Sequence, residues 1–520
     1  MEKLIEWLDG RREEKNFKCL ICGDSSVAKI LQFSINSIDA KRFVYKCQEC
    51  STFCYDDPKI DETIYLLKKE YSEEELSNVD TIYVEIDAGI SMFAQAIYKI
   101  SKNYKNASYL DIGCSYGFSL DYCKRILGWD VYGVEPSIFG LWGKRDLGLN
   151  IYTGFSWDID EIRGKKFDVV FSSETIEHVE NPKEFIDHVK SFLSDDGCLI
   201  LTTPNGNLID KNTNPDTICG IMFPGTHYFV TNSENLKKLL ISNGFKYVET
   251  YFSGQSIISY ASMKKIDFAG EEEYIESYLD YLFKRTHSQE IVPDYLFRGF
   301  AARAIEEHVN LSKLEKADEI LKIIHKRIDI EDCIKDFESH KSISMKAPFS
   351  LPLILYYEGI LRLNLNPNYA RATYLFGESF RFIDKLTSKD FYCETKLFIK
   401  LLKLFLLKES AVYHYLLSNV FMLISKPESN EFYRLFSSLP NAKKEFLVAE
   451  FLKIIPSSFI DKITIKNSKY SIFKIFASRF KMRVLYILKK IYIKLPDKLR
   501  FKIINSRFFL KLGNYIKKQM

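Results

Sequence analysis

Two carboxylates and a glycine turn form the clearest chemical pattern in this sequence. Residues 109–120 read YLDIGCSYGFSL: an apolar run ending at Asp111, then Gly113-Cys114-Ser115-Tyr116-Gly117. A strand that stops at an acid and turns through glycines into a helix lets the backbone approach a nucleotide-like ligand, because glycine has no Cβ and enters left-handed conformations freely. A second apolar run, Val131-Tyr132-Gly133-Val134-Glu135, ends in another carboxylate about 20 residues on, where a nucleoside's ribose hydroxyls need an acceptor. Acids also commonly end strands and cap helices. The ordered motifs around this pair weigh for ligand binding instead. A hydride-transferring dinucleotide enzyme would want the fuller G-x-G-x-x-G spacing, which is absent.

Four cysteines offer a second chemistry. Cys19-Leu20-Ile21-Cys22 and Cys47-Gln48-Glu49-Cys50 are two Cys-x-x-Cys turns separated by 24 residues. Each turn presents two thiolates, and two turns complete a closed, all-sulfur tetrahedral zinc site of the structural kind. The competing reading is four free thiols paired by chance, and Cys54 is a poorer alternative to Cys50 because of its wider spacing.

The elements that must position these residues follow a recognisable order. Residues 29–33 and 42–46 read as strands of a zinc ribbon over 1–60, followed by a helical connector over 61–105. Apolar runs at 109–111, 131–135, 167–171 and 198–202 then alternate with helix signals. Asn181-Pro182-Lys183-Glu184 is an N-cap with proline at the first helical position, and Asn243-Gly244 is a left-handed C-cap. The pattern predicts an α/β fold with a doubly wound, mostly parallel sheet over 106–260, whose ligands gather beyond the strands' carboxyl ends. From 261 to 461 the pattern is helical. Residues 352–361 and 369–376 resemble one tetratricopeptide-type hairpin, with Gly359 and Ala372 allowing close packing, but no second copy follows and an irregular helical domain is expected.

The chain has 520 residues, enough for two to four domains, with 46% apolar and 27% charged residues. Its net charge of +4 conceals an asymmetry. Residues 462–520 hold 17 Lys or Arg against Asp497 alone, a net of +16, which leaves −12 on residues 1–461. In this tail Phe473, Phe476, Phe480, Val484, Ile487 and Ile491 fall on one helical face, making a basic amphipathic segment. The charged N-terminus does not read as a signal peptide, and no window offers the roughly 18 uncharged apolar residues of a membrane span. Eleven cysteines without an export signal favour a reducing, cytoplasmic setting.

With these motifs in hand, residues 106–260 resemble class I S-adenosylmethionine-dependent methyltransferases, particularly the branch of ubiquinone-biosynthesis and sugar methyltransferases. Five blocks carry the resemblance in order: LDIGCSYG, VYGVEPS, FDVVFSSETIEHVENPKEF, LSDDGCLILTTPN and HYFVTNSENLKKLLISNGF. It covers about 60–260. The upstream zinc ribbon is similar to that of bacterial sugar C-methyltransferases by analogy, and 261–520 lies outside. The resemblance implies a seven-stranded Rossmann-like methyltransferase sheet and S-adenosylmethionine bound by Asp111, Gly113, Ser115, Gly117, Glu135, Phe155, Ser173 and Glu174. Ser115 stands where many relatives have glycine.

Methyl transfer is an in-line displacement that needs alignment and, for a hydroxyl or carbon acid, removal of a proton. Glu177, His178 and His227 are the candidates for that proton. In the resembled branch the Glu-His segment is associated with a divalent ion. Each histidine also has a plain reading as an orienting or core side chain with one hydrogen bond. The connection 205–226 is long enough to serve as a lid. The expected acceptor is a small molecule, a sugar nucleotide, glycan or related precursor, as in polysaccharide biosynthesis. The alternatives are an RNA methyltransferase, which the acidic remainder and the missing N-P-P-Y-type loop disfavour, and a non-catalytic scaffold. The tail suits peripheral docking at the inner face of an anionic membrane, or on a partner, better than nucleic acid, because aliphatics outnumber rings that stack bases.

Overall fold

A computed structural model of the chain describes residues 5–386, apart from 9, 11, 15–17, 36–39, 56–70, 78, 87, 225, 289–291, 340–347 and 366–367, together with 407, 410–411, 414–415 and 418. The expected basic tail 462–520, and nearly all of 387–461, lie outside the described residues. Those of 1–300 form one compact unit, and those of 301–333 and 350–388 form a second.

Two sheets build the first unit. Strands β1 (Ile5–Trp7), β2 (Arg12–Glu14), β3 (Ser26–Ile35), β4 (Ala40–Cys47) and β5 (Phe53–Tyr55) pair antiparallel, with β3 and β4 at the centre. The expected ribbon strands fall within β3 and β4. Helices α1 (Glu73–Ser77), α2 (Thr81–Glu85) and α3 (Ile90–Ser101) follow, and Asp80 caps α2 by accepting the Tyr83 amide at 3.1 Å.

The second sheet begins at β6 (Ser108–Ile112), which leads through the glycine turn into α4 (Phe118–Tyr122). After it come β7 (Asp130–Glu135), α5 (Ile138–Leu147), β8 (Ile151–Thr153), β9 (Phe167–Ser173), α6 (Pro182–Ser191) and β10 (Leu193–Pro204). Asn181 accepts the Glu184 amide at 3.2 Å, which is the cap the Asn-Pro-Lys-Glu run predicts. Next are α7 (Pro215–Met222), β11 (Phe229–Val230), α8 (Ser233–Ser242), β12 (Tyr247–Ser253), β13 (Ser256–Ser262), α9 (Glu271–His287) and α10 (Asp294–Asn310). Gly244, at φ +85°, stands just beyond α8 as expected.

The seven strands lie in the order β12-β13-β10-β9-β6-β7-β8. Pairs from β10 through β9, β6 and β7 to β8 are parallel, while β13 runs antiparallel between β10 and β12. The chain leaves β6 in one direction through β7 to β8, then returns to the other side of β6 with β9. This reversal between β6 and β9 opens a crevice at the carboxyl ends of those strands.

The 205–226 connection is a correction to the sequence reading. It is no free lid: α7 lies within it, and Ile218, Cys219, Ile221 and Met222 share a core with Leu31, Phe33, Val44, Phe53 and Tyr55 of the first sheet. Burying four apolar side chains there ties the segment down. Immediately beyond, β11 joins the first sheet, pairing Phe229 with Cys54 and Val230 with Phe53.

Helices α11 (Leu314–Arg327), α12 (Ile330–Ser339), α13 (Leu351–Asn364) and α14 (Tyr369–Leu386) follow in the chain, and of these α11, α13 and α14 lie in the second unit. A Cβ on Gly359 of α13 would come within 2.7 Å of the Phe376 ring of α14, so glycine permits the close approach expected for that hairpin. No described helix is long and apolar enough to cross a membrane.

Candidate active site

At the crevice, β6 delivers Asp111 into the interior. Ser119 Oγ donates to its Oδ2, whereas Oδ1 is buried and has no hydrogen-bond partner among the described residues. Burial, reinforced by the Glu135 charge and offset by Ser119, pushes the carboxyl up to about 8. The turn beyond it takes left-handed conformations at Gly113 (φ +80°), Ser115 (φ +48°) and Gly117 (φ +83°). Ser115 thus adopts the backbone that glycine usually supplies.

Glu135, at the end of β7, explains why. Its Oε2 accepts the Ser115 amide at 2.7 Å and its Oε1 the Ser137 amide at 2.9 Å. Burial raises its pKa against the pull of those two amides. Each oxygen keeps a further lone pair to offer a ligand hydroxyl. Helix α5 sits tightly behind: a Cβ on Gly143 would lie 2.0 Å from the Tyr116 carbonyl oxygen, and one on Gly140 2.8 Å from Glu135 Cβ. The Gly-x-x-Gly spacing at 140–143 was the signal for this contact, and the sequence reading did not use it.

Beside Glu135, the Gly154 amide donates to the Glu135 carbonyl at 3.2 Å. Phe155 is 36% exposed and stacks on the 54% exposed Trp157, with ring centroids 4.8 Å apart. Across the crevice, β9 ends at Ser173 and Glu174. Ser173 Oγ lies 2.7 Å from Thr202 Oγ1, Thr202 Oγ1 donates to Glu174 Oε1 at 2.9 Å, and Glu174 has φ +49°.

The three proton-handling candidates are brought together. Glu177 is fully buried, accepts from Thr203 Oγ1 at 2.9 Å on Oε2, and its Oε1 lies 4.0 Å from His227 Nε2. Burial and the Glu174 charge hold Glu177 well above the usual carboxylate range. His178 and His227 pack edge to face, centroids 4.7 Å apart. Carbonyl oxygens can only accept, so His178 Nδ1 donates to Thr226 O at 2.9 Å and His227 Nδ1 to Ile221 O at 3.1 Å. Both imidazoles thereby carry their proton on Nδ1 and their lone pair on Nε2. Burial lowers His178 to about 4, and burial with the neighbouring His178 ring holds His227 well below the ordinary imidazole value, so both are neutral near pH 7. The ligand atoms of Glu177, His178 and His227 all lie within 4.8 Å of one another, a set able to hold a cation. Thr202, Thr203 and Thr226 escaped the sequence reading, since nothing local marks a threonine as a partner of a distant acid or histidine.

The four cysteines also converge, on the ribbon side of the same unit. Cys19 and Cys50 sulfurs are 3.6 Å apart, Cys22 and Cys47 sulfurs 3.5 Å, and all four lie within 4.8 Å. Ligands at about 2.3 Å around a tetrahedral zinc would be about 3.8 Å apart, so the donor set fits such an ion. Cys54 instead lies on β5, opposite Phe229 of β11.

With this geometry established, comparison with known proteins gives a consistent result. Residues 90–250 match a family model described as a methyltransferase domain. A candidate O-methyltransferase of Nostoc punctiforme PCC 73102 is 16% identical over 33% of this chain and 56% of its own, with a TM-score of 0.28. An S-adenosylmethionine-dependent methyltransferase of Archaeoglobus fulgidus is 18% identical over 33% of this chain and 93% of its own, TM-score 0.28. Phosphoethanolamine N-methyltransferase 2 of Haemonchus contortus, solved with S-adenosyl-L-methionine, is 17% identical over 35% of this chain and 44% of its own, TM-score 0.28. The chain thus spans little more than half the length of the first of these. No curated protein matches the chain. Residues 90–250 are thus similar to a methyltransferase domain, and the solved structures compared share the fold of that part of the chain alone.

Proposed function

We propose that the chain methylates a small-molecule acceptor, a sugar nucleotide or related glycan precursor, using S-adenosylmethionine. One observation carries this reading: the Asp111–Glu135 edge and the Glu177–His178–His227 cluster both lie at the carboxyl ends of strands flanking the reversal between β6 and β9. S-adenosylmethionine supplies an electrophilic methyl on a sulfonium. The residues fit it. Asp111 offers an unpartnered buried oxygen, the 113–117 turn leaves room for close approach, and Glu135 is preorganised by two amides to accept ribose hydroxyls. Phe155 would border the adenine, and Ser173 and Glu174 would offer oxygens to the positive centre.

On the acceptor side His178 is the general base. Its Nδ1 proton is committed to the Thr226 carbonyl, so the Nε2 lone pair would take the acceptor's proton while the acceptor oxygen or carbon bonds to the methyl, the methyl–sulfur bond breaks and its electron pair leaves on sulfur as the neutral thioether S-adenosylhomocysteine. His227 and Glu177 lie beside it, and burial shifts both toward their uncharged forms. Cys19, Cys22, Cys47 and Cys50 hold a structural zinc that closes the ribbon. The sugar-type acceptor follows from the resemblance of a cysteine ribbon upstream of a methyltransferase domain to bacterial sugar C-methyltransferases; in this chain the two are joined through β5 and β11.

A labelled-methyl assay on metabolite, glycan and RNA pools from the source cell tests the reading. Label in a sugar-containing small molecule is the expected result; label confined to RNA would replace the acceptor assignment, and failure to bind S-adenosylmethionine by calorimetry would end it.

A further inference from the structure

The cysteine cluster and the histidine cluster are linked by one short run of chain. On the cysteine side, the Cys50 carbonyl accepts from Asn235 Nδ2 at 2.5 Å and from Asn232 Nδ2 at 3.3 Å. Cys50 Sγ lies 3.1 Å from Thr52 Oγ1, and Thr52 Oγ1 lies 3.0 Å from Thr231 Oγ1. Both threonines are fully buried. From Thr231 the chain runs back through β11, paired with β5, to Tyr228, whose amide donates to the Glu177 carbonyl at 2.7 Å. It then reaches His227 and Thr226, whose ring and carbonyl set the position and tautomer of His178.

Six residues, 226–231, therefore touch both clusters. Their cysteine end depends on the shape of the Cys47–Cys50 turn, since a shift of the Cys50 carbonyl deprives two asparagines of their acceptor. A buried polar group left without its partner carries the full desolvation cost, so such a shift is transmitted rather than absorbed. Backbone hydrogen bonds hold the turn itself, from Ser51 to the Cys47 carbonyl at 3.0 Å and from Cys47 to the Thr52 carbonyl at 2.8 Å, and a bound ion would further tie its two sulfurs to Cys19 and Cys22.

We propose that Thr231 and Asn235 are positioning residues that couple metal occupancy of the four-cysteine site to the placement of residues 226–231, and through Thr226 and His227 to the base His178. The inference rests on the proposed zinc site and on His178 as base. It assigns the ribbon a part in the reaction without any contact to the reacting atoms.

The test uses the full-length chain, zinc-loaded or stripped with a chelator, and follows amide hydrogen exchange by mass spectrometry. Stripping should raise exchange in 226–231 about tenfold while β6 and β7 keep their protection. Thr231→Val should give the same local rise with zinc still bound, lower kcat about tenfold and leave KM for S-adenosylmethionine unchanged; Thr231→Ser should restore both. Unchanged exchange in 226–231 after stripping overturns the coupling. So does a Thr231→Val protein whose kcat is that of the wild type. The exchange result stands whether or not methyl transfer is detected, so loss of the functional reading and loss of the coupling are separate outcomes.

Discussion

The Ser115 amide meets Glu135 Oε2 at 2.7 Å, across the ends of two parallel strands, and Ser115 holds φ +48° to make that contact. The loop that would cradle the donor is therefore tied to the acid that would grip its ribose. A non-glycine residue in this backbone region is uncommon, and the charge-assisted hydrogen bond offsets the conformational cost.

Glu135→Ala removes both the ribose acceptor and the anchor for two amides. Losing two charge-assisted hydrogen bonds worth about 1.5–3 kcal/mol each should weaken S-adenosylmethionine binding by at least about a hundredfold. Isothermal titration calorimetry measures this; an unchanged Kd would remove Glu135 from the cofactor site.

Asp111 makes stability depend on pH in a defined direction. Its folded pKa of about 8 stands above the usual 3.8, so the native carboxyl stays neutral where the unfolded one is ionised. That contribution to stability is complete below pH 3.8 and is lost as pH rises through 8. Asn at this position has no charge in either state. Melting curves of ligand-free Asp111→Asn and wild type should therefore separate as pH rises from 5 to 8, the variant becoming relatively more stable. Parallel pH profiles would contradict the burial of an ionisable Asp111.

His178→Ala should lower kcat about a hundredfold with little change in S-adenosylmethionine affinity, the range expected for loss of a general base. With the imidazole near 4, this base is available through the neutral range. For the wild type, kcat/KM should show no loss from His178 between about pH 8 and 5, and should fall toward pH 4. An inflection near the ordinary histidine value of 6.5 would point to another base.

The cysteine geometry separates ligands from bystanders. Cys22→Ser should lose zinc measured by mass spectrometry of the metal, whereas Cys54→Ser should retain one ion per chain, because Cys54 belongs to the β5–β11 pairing. Equal loss in both variants would mean that five sulfurs share the site.

Much of the site was legible from local order. Asp111, the glycine turn and Glu135 are encoded by spacing along two strand–helix units, and the Cys-x-x-Cys turns by spacing of three, so each could be read before any tertiary contact was known. The caps at Asn181 and Gly244 follow from the same short-range chemistry. Other features have no local trace. Residues 205–226 look like an unattached connection, yet α7 fills the ribbon's core, because apolar residues do not announce which distant surface they will cover. His178 and His227 lie 49 positions apart in sequence, and their rings stand 4.7 Å apart where the Tyr228 amide donates to the Glu177 carbonyl and His178 to the Thr226 carbonyl. Glycine at 143 is required by a helix passing within reach of the Tyr116 carbonyl, a contact set by sheet twist and helix packing. The sequence by itself determined the two strand-end acids, the turn and the paired cysteines, whose geometry is short-range. Only the tertiary structure decided the acid–histidine cluster and its link to the cysteines, since those depend on which strands pair across the chain.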